Sequence, residues 1–181
     1  MRLYEEKIGG KTLYDGKILT LRVDRARLED GREVTREVVG HRGAVCVVAV
    51  NEQDELLLVR QFRYPHGKVL TEIPAGKLDP GETPESCGRR ELEEETGCRA
   101  DTFVSLGKLL PTPAYSEEVI YMYYAAGLHR TQQHLDEGEF LDVEKLPFAG
   151  AVEKVLDGTF TDAKTQIGIM KAHLLRQAGR L

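Results

Sequence analysis

Residues 76–97 read GKLDPGETPESCGRRELEEETG and hold the densest run of charge in the chain. Gly76, Pro80 and Gly81 enforce a loop. Thr83 then stands as an N-cap with Pro84 at the first helical position, and Gly97 stands where a C-terminal cap belongs. The spacing therefore predicts one helix between Pro84 and Thr96. From Glu82 to Glu95 six carboxylates (Glu82, Glu85, Glu91, Glu93, Glu94, Glu95) stand against two arginines, Arg89 and Arg90, a local net charge of −4.

At ~100° per residue Glu94 lies ~60° from Glu91 and Glu95 ~40° on the other side, so these three share one stripe while Glu93 points away. Like charges at i,i+4 cost a helix roughly 0.2–0.5 kcal/mol per pair. Glu93 to Glu95 also occupy the last turn, the negative end of the helix dipole, where each anion costs about 0.3–1 kcal/mol. A solvated acidic face would carry lysine there. A divalent cation is the simplest compensation for a run that breaks local rules. The stripe offers only oxygen ligands, which selects Mg²⁺, with Mn²⁺ as a substitute, over Zn²⁺. Mg²⁺ fills its shell with water and substrate phosphate, so the stripe points to phosphate chemistry.

Upstream the sequence reads as strands. Ile18 to Leu28 alternates, and Asp15-Gly16 and Asp30-Gly31 mark hairpin turns. Ala44 to Val50 and Leu56 to Val59 are dense β-branched runs of the kind buried on both faces. Leu70 to Pro74 gives a short strand before the acidic helix. Downstream, Val104 to Leu110, Val119 to Ala126 and Glu139 to Val143 are strand-like. Helices follow at Ala149 to Leu156 and, with Asp162 as N-cap, at Ala163 to Gln177, where Ile167, Met170, Leu174 and Leu175 recur at helical spacing. Strands first, a helix in the middle and helices last predict an α+β fold, a sandwich around a mixed β-sheet with an N-terminal antiparallel strand extension.

At 181 residues the chain is one domain with a small appended element, at one domain per ~150 residues. Its 25 basic and 30 acidic residues give a net charge of −5, which argues against a general nucleic-acid binder. No apolar run approaches the ~20 residues of a membrane helix, and Met1 to Lys11 lacks the apolar core of a signal peptide. The expectation is a cytoplasmic protein without membrane or nucleic-acid partners. Cys46, Cys87 and Cys98 have no metal-binding or disulfide spacing and read as reduced packing residues.

The pattern Gly76, five residues, Glu82, seven residues, Arg90-Glu91-Leu92, one residue, Glu94-Glu95, one residue, Gly97 resembles the Nudix box of the Nudix hydrolases. Cys98 replaces the customary aliphatic residue that follows, and packs as a small hydrophobe. Arg60-Gln61-Phe62-Arg63, Glu72-Ile73-Pro74-Ala75-Gly76, Pro111-Thr112-Pro113 and Phe160-Thr161-Asp162-Ala163-Lys164-Thr165 are similar to flanking segments of the ADP-ribose pyrophosphatase branch. The resemblance implies a Nudix α/β/α sandwich over residues 42–181, with residues 1–41 as an N-terminal β extension for dimerisation. It implies hydrolysis of a nucleoside diphosphate linked to another moiety, here ADP-ribose to AMP and ribose 5-phosphate.

Site residues follow on the same footing. Glu91, Glu94 and Glu95, the backbone carbonyl of Ala75 carried over from the family, and Glu82 directly or as a loop stabiliser form the expected metal set. Arg90 is expected to orient these carboxylates, most simply Glu94 at i,i+4. Related pyrophosphatases take the catalytic base from a later acidic loop, which points to Glu137 first and Glu139 as base or added ligand. Arg63 and Glu118 match substrate-contacting positions, and Arg36 is expected to reach a substrate across a homodimer. Alternatives are another nucleotide sugar, a dinucleoside polyphosphate (Tyr115 stands at the spacing of that branch), or a non-catalytic nucleotide-binding module. Decay to the last would remove the box carboxylates first, and all are present.

Overall fold

The structure, a computed structural model, describes residues 3–181. The chain divides into two compact units, Met1–Gly43 with Leu110–Val119, and Ala44–Leu109 with Ile120–Leu181. The first unit is a three-stranded antiparallel sheet of β1 (Glu6–Asp15), β2 (Leu19–Arg27) and β3 (Glu33–His41). Both turn signals close a bend. The Gly16 amide donates to the Leu19 carbonyl at 3.0 Å, and the Leu28 amide to the Arg32 carbonyl at 2.8 Å. The segment Leu110–Val119, which the sequence reading left with the larger domain, is bonded to β3. The Val39 amide donates to the Tyr115 carbonyl (2.8 Å) and the Glu117 amide to the Val39 carbonyl (2.9 Å).

The second unit is a mixed sheet with helices on both faces. Its strands are β4 (Ala44–Val50), β5 (Glu55–Arg63), β6 (Lys68–Glu72), β7 (Ala75–Lys77), β8 (Cys98–Leu109), β9 (Ile120–Arg130) and β10 (Leu141–Pro147), in the order β10-β5-β4-β9-β8, with β6 on β5 and β7 on β4. Among the described residues of this sheet, β4 and β9 are the one pair of strands that runs parallel. Strand side chains alternate between faces, which explains the unbroken apolar run of β4. Val45, Val47 and Ala49 pack with Cys87 and Leu92 of α1 (Pro84–Thr96). Cys46, Val48 and Val50 pack with Phe148, Ala151 and Val152 of α2 (Phe148–Leu156) and Ile169 and Ala172 of α3 (Ala163–Gln177).

The structure moves some expected elements. β8 begins directly behind the helix cap, at Cys98, well before Val104. β10 starts at Leu141, so Glu139 lies in the loop before it. α3 meets the expected face only in part: Met170 and Leu175 pack half-buried against the core, Ile167 and Leu174 are exposed, and the fully buried positions are Thr165, Gly168, Ile169 and Ala172. The reason is close approach. A Cβ at Gly168 would sit 2.9 Å from Ile73 Cδ1 and 3.1 Å from Val48 Cγ2, so only small residues let α3 seat this tightly.

Candidate active site

α1 starts and stops as its caps require: the Thr83 hydroxyl accepts from the Ser86 amide (3.2 Å) and the Gly97 amide donates to the Glu93 carbonyl (2.8 Å). That fixes the helix so that Glu95 points into the protein, 2 % exposed, where its Oε2 accepts the Ala75 amide of β7 at 2.9 Å. Glu91 lies beside it against the same strand. A Cβ on Gly76 would overlap the Glu91 carboxyl, so any side chain at that position would push this carboxylate out of its place.

Arg90 gathers three carboxylates. Its Nη1 donates to Glu94 (2.7 Å) and Glu91 (2.9 Å), and its Nε and Nη2 to the two oxygens of Glu82 (3.0 Å each). Glu82 also accepts the Asp79 amide at 3.2 Å, which closes the loop before α1. The guanidinium holds the Glu82 carboxyl down at about 2. The late loop delivers Glu139, whose Oε1 accepts from Gln61 Nε2 at 3.1 Å. Burial, reinforced by Glu94 and Glu139 and opposed by Arg90, pushes Glu91 up to about 7. Burial, opposed by the Ala75 amide and Arg63 and reinforced by Glu91 and Glu139, pushes Glu95 up to about 8.

These groups press on one another with too little positive charge among them. Among the described residues no three His, Cys, Asp or Glu side chains already stand as a chelating set, because Glu91 and Glu94 both turn to Arg90. The fit to a cation rests instead on donor chemistry and charge: carboxylate oxygens, buried and short of a counter-ion, suit a hard divalent ion.

Arg63, at the end of β5, donates from Nε and Nη2 to the two oxygens of Glu72 at 2.7 Å each. Lys164 of α3 pairs with the same carboxylate and lies 3.1 Å from Asp162. Glu137 lies exposed in a turn with Gly138, apart from these contacts. Arg36 and Glu118 belong to the first unit. Arg36 makes a two-pronged pair with Glu5 (2.9 and 2.7 Å), and Glu118 Oε1 lies 3.8 Å from His41 Nδ1. The sequence reading missed Gln133, whose Nε2 donates to the Glu95 carbonyl at 2.6 Å. With the His134 amide on the Glu94 carbonyl (3.0 Å) it ties the late loop to the end of α1. A glutamine in a polar loop carries no signal of such a role.

No helix among the described residues is long and apolar enough to cross a membrane. Residues 40–165 match the model of the NUDIX domain, and residues 5–39 that of the nucleoside diphosphate sugar hydrolase N-terminal domain. The chain is 36% identical over 176 residues to the methanol dehydrogenase activator of Bacillus methanolicus, covering 96% of this chain and 95% of that one. It is 36% identical over 177 residues to the ADP-ribose pyrophosphatase of Bacillus subtilis, covering 96% of each. A solved crystal structure of an ADP compounds hydrolase shares the fold, with a TM-score of 0.85 at 24% identity over 98% of this chain and 97% of that one. With the box residues meeting around one buried acidic site and the domain model spanning most of its length, the chain belongs to the Nudix hydrolase family.

Proposed function

We propose that this chain hydrolyses the pyrophosphate of ADP-ribose to AMP and ribose 5-phosphate, with Mg²⁺ as its working divalent cation and Mn²⁺ as a substitute. The observation that carries the chemistry is the buried Glu95 carboxylate, held by the Ala75 amide, beside Glu91 and Glu94, which share the single guanidinium of Arg90. The substrate is argued from the relative in Bacillus subtilis that bears the name ADP-ribose pyrophosphatase.

A pyrophosphate repels an incoming hydroxide through its crowded anionic oxygens, so the site must offset that charge and supply an aimed water. A bound divalent cation supplies Lewis acidity and a more acidic water. Glu91, Glu94, Glu95 and the Ala75 carbonyl would hold it, and Arg90 orients Glu91 and Glu94 by charge-assisted bonds. Glu82 secures Arg90 and the loop. Glu139, steadied by Gln61 through Oε1, accepts the proton of the attacking water on its other oxygen. Glu137 on the same loop is the competing base. Arg63, fixed by Glu72, offers the free edge of its guanidinium to a phosphate or ribose oxygen.

In the first unit, Glu118 is assigned to the terminal ribose and Arg36 to substrate contact in a homodimer formed through the N-terminal extension. Exposed Leu13, Tyr14 and Ile18 of that extension support pairing. Three free cysteines fit a reducing cytoplasm. Turnover of ADP-ribose, ADP-glucose, GDP-mannose and diadenosine tetraphosphate with Mg²⁺ tests the substrate. ADP-ribose should give the highest kcat/KM, and equal turnover of all four would defeat the assignment.

A further inference from the structure

The segment from Phe160 to Thr165 stands out in the sequence, yet the chemistry above does not use it. It forms the start of α3, where two contacts reach 92 residues back along the chain to Glu72, the end of β6, and Ile73, in the link to β7. Asp162 caps the helix, its Oδ2 accepting both the Thr165 amide (2.9 Å) and the Thr165 hydroxyl (2.6 Å). A hydroxyl has one proton and two lone pairs. With its proton committed to Asp162, the fully buried Thr165 presents a lone pair that accepts the Ile73 amide at 3.0 Å. Pro74 follows, its carbonyl accepting the Val47 amide (2.9 Å), and then Ala75, whose amide holds Glu95.

The neighbouring residue makes a second arm. Lys164 bridges Asp162 and Glu72, and Glu72 in turn holds both prongs of Arg63. One helical turn thus grips the carboxylate end of the site through backbone and the guanidinium end through charge. Lys164 is also the second cation on Glu72; without it, Arg63 alone would balance Glu72 beside Asp162.

We propose that the first turn of α3 is a positioning element of the active site with two separable outputs: Thr165 sets the 73–75 backbone and through it divalent-cation affinity, and Lys164 sets the Glu72–Arg63 pair and through it substrate affinity. The inference rests on the assignment of cation to Glu91, Glu94 and Glu95 and of substrate to Arg63. A part that serves stability alone would move melting temperature without splitting these two affinities.

The test uses the full chain and the variants Thr165→Val, Thr165→Ser and Lys164→Met. Mn²⁺ binding is followed by paramagnetic resonance without substrate, KM and kcat for ADP-ribose at saturating Mg²⁺, and folding by thermal melting. Thr165→Val should weaken Mn²⁺ binding ~10-fold or more, as loss of outer-shell partners does, with Thr165→Ser recovering most of it. Lys164→Met should raise KM ~10-fold while Mn²⁺ affinity stays within ~3-fold of the parent. Parent-like Mn²⁺ binding by Thr165→Val, valine and serine behaving alike, or an unchanged KM in Lys164→Met would each overturn the proposal. Should Thr165→Val fail to melt cooperatively, Lys164→Met decides. A parent chain that neither binds Mn²⁺ nor turns over nucleotide sinks the underlying assignment and this inference with it; a competent parent with unaffected variants sinks the inference alone.

Discussion

Glu72 and Glu95 are both glutamates of the second unit, 1 % and 2 % exposed, yet their surroundings are opposite. Glu72 receives two bonds from Arg63 and one from Lys164, and these cations hold its carboxyl down at about 2 against the cost of burial. Glu95 receives one backbone amide and shares its space with Glu91 and Glu139, and is pushed up to about 8. A buried charge that serves the fold is paired, because leaving it unpaired costs several kcal/mol. A buried charge left short of partners is kept for something outside the chain. The contrast separates scaffold from chemistry without appeal to residue type, since both are glutamate.

The largest expected effect comes from removing the under-partnered group. Glu95→Gln keeps the shape and can still accept the Ala75 amide, but loses a charge needed for a cation. We expect kcat for ADP-ribose to fall ~10²–10³-fold, the scale of losing one electrostatic contributor to the transition state. Melting temperature in metal-free buffer should not fall, because the amide keeps the Ala75 bond and brings no charge into the buried site. Turnover equal to the parent would erase the distinction between the two glutamates.

Glu72→Gln should do the reverse, acting first on stability. It leaves Arg63 and Lys164 facing a neutral group, and breaking such a buried pair costs about 3–5 kcal/mol, measurable as a lower urea midpoint. The pH dependence has a definite sign. Glu72 is depressed from 4.5 to about 2, so its stabilisation is complete above 4.5 and is lost as pH falls from there toward about 2. The parent should lose part of its stability across that window, and Glu72→Gln should lose less. Identical acid limbs in both chains would show that the Glu72 network does not stabilise the fold.

Only one side of this contrast was legible in the sequence. Thr83, Pro84 and Gly97 frame α1 through local rules, and the stripe of Glu91, Glu94 and Glu95 follows from helical geometry, so the under-partnered carboxylates announce themselves by breaking dipole and spacing preferences. The unbroken apolar run likewise exposes β4 as a strand buried on both faces. The satisfied partner of Glu72 is invisible locally: Lys164 lies 92 residues away, and nothing in either segment signals the other. The inward face of α3 misleads for a related reason. Thr165, Gly168 and Ala172 are chosen for close approach and a hydrogen bond, and so the exposed Ile167 and Leu174 look like the core. The placement of the late glutamates also depends on tertiary contacts, since Gln61 and Gln133 hold the loop and Glu139 lies in the field of Glu91 and Glu95.

The smallest effect is expected at a third kind of carboxylate partner, the exposed pair of Glu5 and Arg36 in the first unit. Their two-pronged contact lies in water, and exposed pairs contribute little to folding. Arg36→Ala should therefore leave the urea midpoint unchanged, which makes substrate affinity a clean readout. If Arg36 contacts substrate in a homodimer, its loss should raise KM for ADP-ribose several-fold, ~3–10-fold, with kcat unchanged, the mark of uniform binding. Glu5→Gln is the control: it frees the guanidinium from its carboxylate and should leave KM at or below the parent value. A KM unmoved by Arg36→Ala would make the pair a surface contact and confine substrate recognition by arginine to Arg63, the one held by a buried carboxylate.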